Sequence, residues 1–406
     1  MPTQGAAKEA AAALARHGHR LTATREHAPQ PFELTDWYGK STGGEELRGW
    51  WQVFSLAVYV TGDAGDADAD EGGGGAFVDR LPVFRPHLSE QARWVAGVAR
   101  SLGGFSEGCA EGHESTLEGV FDRSGLLHES LGAVLAVPEP GLPEGERTAR
   151  RQAPAWVLPE PGDPALVVAA VVEVAGRLYG SEAETAGAGA PEAVAWLLDE
   201  DFAFGDPYES VGDFLADLDD AVAHQGTCTA ATVAAVPFLV AVATDPAVPA
   251  GARTTVLLDL LRHSTTGAAD DVALADRNAA LGRTTAETET ERAVRHAVGD
   301  AVPHLLARWD EALDVERYVL AALAAAHGPG QGTGSGPAAV SAVHLADLPA
   351  PTGTDRADTV GLMRVLLGGG DYEEFVGRAG VSPHARPRDV GVADLTGRVM
   401  WDIEAL

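Results

Sequence analysis

The chain has 406 residues, with 29 Lys and Arg against 60 Asp and Glu and a formal net charge of -31. Only Lys8 and Lys40 are lysines, so a nucleic-acid backbone, which is bound by cations that displace counterions, is not an expected partner. An anionic membrane surface is excluded on the same ground, and with two cysteines, Cys109 and Cys228, so are a disulfide framework and a four-thiolate zinc site within one chain.

The opening stretch MPTQGAAKEAAAALARHGHR has no basic segment ahead of an apolar core, so no secretory signal is expected and the cytoplasm is the default compartment. Residues 1–45 read as a helical or irregular extension. Within them, Gly39, Lys40 and Ser41 match the second half of a phosphate-binding loop. Leu34 stands where its first glycine belongs, and a plain turn is expected.

The longest apolar run, Trp50 to Val60, falls short of the roughly 20 residues that a membrane helix needs. Residues 46–182 read as degenerate helical repeats interrupted by an acidic Gly-rich loop and a Pro-rich loop. In the acidic loop Asp68, Asp70, Gly73 and Asp79 fit part of a calcium-loop frame. Gly72 and the final aspartate break it, and a solvated loop is expected. His113 and His128 each begin His-Glu-Ser, without the second histidine of a zinc helix. Two stretches, from Leu81 and from Asp163, have the form of a short break followed by a long aliphatic helix.

Periodicity is clearest across 183–330. Val211, Phe214, Leu215, Leu218 and Val222 follow the spacing of one helix face, with Asp213, Asp217, Asp219 and Asp220 on the other. Further helices are expected over about 230–243, around Val256 to Leu261, from Val294 to Leu306 and from Val315 to Leu323. AVPFLVA at Ala235 to Ala241 recurs as AVPHLLA at Ala301 to Ala307, each followed by an acidic turn and a second Ala/Leu helix. Helix pairs that recur in this way predict an all-α fold, an α-solenoid of antiparallel helix pairs. Past the Gly-rich stretch from Gly328, residues 331–406 read as a linker and a loosely attached C-terminal segment, with a short helix at Val360 to Leu367.

HQGTCTAATVAAVPFLVAVATDPAVPAGARTTVLLDLL, from His224, resembles the bacterial HEAT-repeat domain proteins, particularly actinobacterial ones. In these a His-Gln-Gly-Thr stretch, an Ala-Thr and an Ala-Val-Pro-Phe-Leu helix recur in that order. The resemblance covers about 210–325. It implies a curved HEAT-like superhelix that serves as an interaction surface, and no catalytic residue.

His224 and Cys228 stand four apart, but one pair supplies neither three metal ligands nor a nucleophile with a base and an oxyanion site. They are therefore read as part of a helix junction. Gly226 ends one helix, and Thr227 or Thr229 accepts from the first amides of the next. No catalytic residue, metal or cofactor is expected. His296 and His304, eight apart, are too far separated to be one ligand pair.

Electrostatics point elsewhere. Between Arg177 and Arg253 there is no Lys or Arg, while thirteen carboxylates fall there. Asp199, Glu200, Asp201, Asp213, Asp217 and Asp220 are the candidate contacts for a basic protein partner, although the same excess serves solubility equally well. An interaction scaffold is thus expected, in concrete form a regulatory or immunity-type protein that neutralises a basic toxin or enzyme. The alternative is an accessory lyase or modifying enzyme on the same fold.

Overall fold

Thr3, Asp163, Ser210, Thr229 and Thr288 each stand just before a helix and turn a side-chain oxygen onto its first free amides. These caps set where the helices begin. A computed structural model describes residues 1–17, 19, 21–27, 44–56, 92–106, 156, 159–160, 162–180, 190–198, 208–223, 227–284, 286–328, 345–352, 354–368 and 382–404. They are mostly helical, and none of these helices is long and apolar enough to cross a membrane. The chain divides into two units: Met1–Arg150 with Ala273–Thr285 and Ala379–His384, and Arg151–Val272 with Ala286–Arg378 and Ala385–Leu406.

The first unit departs from the helical expectation. Helix α1 (Gln4–Arg16) buries Ala7, Ala10 and Leu14 at helical spacing and packs on both strands of an antiparallel pair, β1 (Leu21–Glu26) and β2 (Trp51–Leu56). Leu21 lies opposite Leu56, and Glu26 opposite Trp51. Thr22, Thr24, Trp51, Val53 and Phe54 are β-branched or aromatic and suit a pleated surface covered on one face. So β1 falls inside the expected irregular extension, and β2 forms the start of the apolar run at Trp50. A further helix, α2, spans 92–101. Its Trp94 stacks on His17 with ring centres 3.7 Å apart.

The second unit carries one core, formed by α3 (Pro164–Tyr179), α4 (Val211–Val222), α5 (Ala230–Thr244), α6 (Ala250–Ala273), α7 (Glu289–Leu306), α8 (Asp314–Ala326), α9 (Asp355–Gly368) and α10 (Pro387–Glu404). Helix α5 is central: it packs on α3, α4 and α7. Phe238, Val242 and Ala235 on α5 are wholly buried, as are Phe214 on α4 and Leu261 on α6. The C-terminal segment, expected to be loosely attached, instead places Leu362, Met363, Leu366, Leu395 and Val399 in this same core. Tyr318 on α8 is wholly buried, and its hydroxyl donates to Asp402 on α10 at 2.5 Å.

The two recurring segments lie in α5 and α7, two helices that pack against each other. Both helices run through a proline, Pro237 and Pro303, where an interior proline normally costs about 3 kcal/mol. Each proline lies on the exposed side of its helix. Arginines bind successive turns at one edge: Arg177 pairs with Asp245, Arg308 donates to the Thr244 carbonyl, and Arg253 Nε meets Glu316 Oε1 at 3.0 Å.

Candidate functional site

The acidic side of α4 is built from its cap outward. Ser210 Oγ accepts from the Asp213 amide at 3.1 Å and donates to Asp213 Oδ2 at 2.8 Å, so this carboxylate sits in the first turn, where the helix dipole favours it. One turn on, Asp217 Oδ2 accepts from the Tyr208 hydroxyl at 3.0 Å. Burial pushes the Tyr208 phenol up to about 12, helped by the hydrogen bond to Asp217 and by its charge, so the phenol stays a donor at neutral pH. Asp213, Asp217 and Asp220 are all exposed.

Asp213 and Asp217 have no cationic partner among the described residues. Other carboxylates of the same unit do: Asp219 has Arg262, Glu287 has Arg295, Asp271 has Arg386 and Glu316 has Arg253. The nearest cations in sequence, Arg177 and Arg253, are engaged by Asp245 and Glu316. Asp213 and Asp217 therefore hold their charge on hydroxyl partners, which do not neutralise it. Asp199, Glu200 and Asp201 lie outside the described residues, as do His224 and Gly226 of the expected junction, the Lys40 turn, the calcium-like loop, His113 and His128.

Asp219, read with this polar face, turns inward instead. Its Oδ1 meets His263 Nε2 at 2.8 Å and its Oδ2 meets Arg262 at 2.5 Å, both from α6. Burial works against its charge, but these two partners prevail and hold the carboxyl below its ordinary value. Sequence periodicity could not single it out, since Asp219 and Asp220 differ only in which side of the helix boundary they meet.

The junction after α4 is closed by threonines. Thr229 is the cap: its Oγ1 accepts from the amides of Ala231 and Thr232, and its own amide donates to Thr232 Oγ1 at 2.8 Å. Thr232, wholly buried, donates to the last carbonyl of α4, Val222 O, at 2.6 Å. Thr227 is exposed. The role of Thr232 was missed from the sequence, although a threonine at the third position of a capped helix is its signal.

Cys228 is buried, and its thiol faces the His263 carbonyl at 3.6 Å and not an imidazole nitrogen. Burial drives its pKa up to about 11, and the charges of Glu291, Asp270 and Asp219 add to this against a hydrogen bond from Thr266. That is the reverse of the electropositive setting which activates a cysteine. With native protein at neutral pH, a thiol reagent is expected to leave Cys228 unmodified until denaturant is added; stoichiometric labelling of the folded chain at Cys228 would contradict this. The linkage has a sign: a thiol raised in the folded state contributes stability below its unfolded value near 9, and loses it as pH rises through about 11. Cys228→Ser is expected to weaken that alkaline loss, as read by melting temperature against pH.

His296 is half-buried and His304 is exposed, and no group of three or more His, Cys, Asp or Glu able to hold a metal ion occurs among the described residues. Compared with family models, with curated proteins and with solved structures, the chain matches none.

Proposed function

We propose that the chain is a protein–protein interaction module, a HEAT-like stack of antiparallel helix pairs that recognises a basic protein through the acidic face of α4. One observation carries this reading: Asp213 and Asp217 are exposed and hydroxyl-bound, while Asp219, Glu287, Asp271 and Glu316 of the same unit are met by arginine. A charge held exposed and unneutralised is what an incoming cationic side chain requires, and it raises the association rate by long-range attraction. The recurrence of the Ala-Val-Pro segment in α5 and α7, packed on each other, supports the stacked-pair architecture. In its concrete form the module is a cytoplasmic regulatory or immunity-type protein that neutralises a basic toxin or enzyme.

The test is capture of partners by wild type and by Asp213→Asn/Asp217→Asn/Asp220→Asn, at low and high salt. Substitution by Asn keeps the size and most hydrogen bonds of each side chain, so the fold is expected to persist, as far-UV circular dichroism would report. The partner should be lost from the triple variant, and from wild type at about 1 M salt, where the screening length falls to about 3 Å. An unchanged partner set that salt does not affect would rule out the acidic face.

A further inference from the structure

The second unit is discontinuous in sequence, formed by 151–272, 286–378 and 385–406. One carboxylate touches an end of each stretch. Asp271, whose side chain is 5% exposed, stands next to the last residue of the first stretch. Its Oδ1 accepts from the Ala286 amide and from the Glu287 amide at 3.0 Å, the first two residues of the second stretch. Its Oδ2 pairs with Arg386, the second residue of the third. Loops of any length cost chain entropy to close, and a single buried acceptor that gathers three chain ends offsets that cost locally.

We propose that Asp271 and Arg386 form a charge-regulated latch that closes this unit across its breaks and loosens as the carboxyls crowded around it ionise. The groups facing it are unbalanced in charge. Arg386 Nε lies 2.5 Å from Asp389 Oδ2, so one guanidinium is shared by two carboxylates. Glu287 is held by Arg295 at 2.8 Å and Arg292 at 3.4 Å. Asp270 lies in the fields of Glu291 and Asp271. Five carboxylates thus face three guanidiniums.

Burial raises the Asp389 carboxyl above its ordinary value; Arg386 opposes this, while Asp271 and Glu287 reinforce it. Burial likewise raises Asp270, and Glu291 and Asp271 add to it. A carboxyl raised by folding contributes stability that is complete below its unfolded pKa and is lost as pH climbs through the folded one. Protonating Asp389 also removes a carboxylate that competes with Asp271 for Arg386. The latch is therefore tighter on the acid side of these titrations.

Hydrogen exchange at the Ala286 and Glu287 amides reads the latch directly in the full chain. After correction for intrinsic rates, wild type should protect both amides more at the acid end of a titration from about pH 4 to about pH 7.5 than at its neutral end. Arg386→Gln should raise their exchange about tenfold at neutral pH, the scale for losing a charged hydrogen-bond partner. Asp389→Asn should do the opposite, increasing protection at neutral pH and shrinking the difference between the two conditions. Equal protection at both ends of the titration in wild type, unaltered exchange in Arg386→Gln, or faster exchange in Asp389→Asn would each overturn the latch. All three measurements are independent of whether α4 binds a partner.

Discussion

Phe238→Ala is expected to lower the unfolding free energy by about 3–5 kcal/mol. Phe238 is wholly buried on α5, the helix that packs on α3, α4 and α7, so the cavity left behind opens at a meeting point of four helices. A site walled by several elements collapses poorly, which places the cost in the upper part of the range for large-to-small changes. Urea unfolding monitored by far-UV circular dichroism checks it: the midpoint should fall with an unchanged slope. A loss under about 1 kcal/mol would mean that α5 is not central to the core.

Arg253→Met is expected to cost about 3 kcal/mol, because it strands a buried carboxylate. The side chains of Arg253 and Glu316 are 12% and 4% exposed, so little water can take over from the lost guanidinium. Glu316 also caps α8, accepting from the Leu313 amide at 2.8 Å, and an unpaired charge there is held in place by the cap. Adding Glu316→Gln removes the charge and keeps the acceptor. The double variant Arg253→Met/Glu316→Gln should therefore recover at least half of the stability lost by the single change, in the same unfolding assay. Additive losses would show that the two groups do not interact.

Helices with a strong one-face pattern were legible from residues alone. Val211, Phe214, Leu215, Leu218 and Val222 are all buried on α4, at the spacing their sequence displays. The helix through Pro237 was legible for a different reason: apolar residues continue on both sides of the proline. Short-range signals failed where a distant partner decides the outcome. LTATRE becomes a strand only because Trp51–Leu56 pairs with it and α1 covers the pair. The C-terminal helices have weak periodicity, yet Leu362, Met363 and Leu395 are wholly buried because α8 and its neighbours supply the opposing surface.

The charged face divides in the same way. That Asp213, Asp217 and Asp220 are exposed follows from the helix period. That Asp219 turns inward follows from Arg262 and His263, more than forty residues away, and no local pattern encodes it. In sequence Cys228 has only His224 nearby, with no further base or ligand set. Its raised pKa needed the folded chain, which brings Glu291 and Asp270 near the thiol.

Zero-length carbodiimide cross-linking of the captured complex tests the interaction face most directly. The reagent joins carboxylates to lysines, and this chain has only Lys8 and Lys40 of its own, so cross-links within it are few. Recognition through α4 predicts that mass spectrometry will find lysines of the partner joined to Asp213, Asp217 or Asp220. Cross-links to the partner that map only to other carboxylates, with these three unmodified, would contradict it.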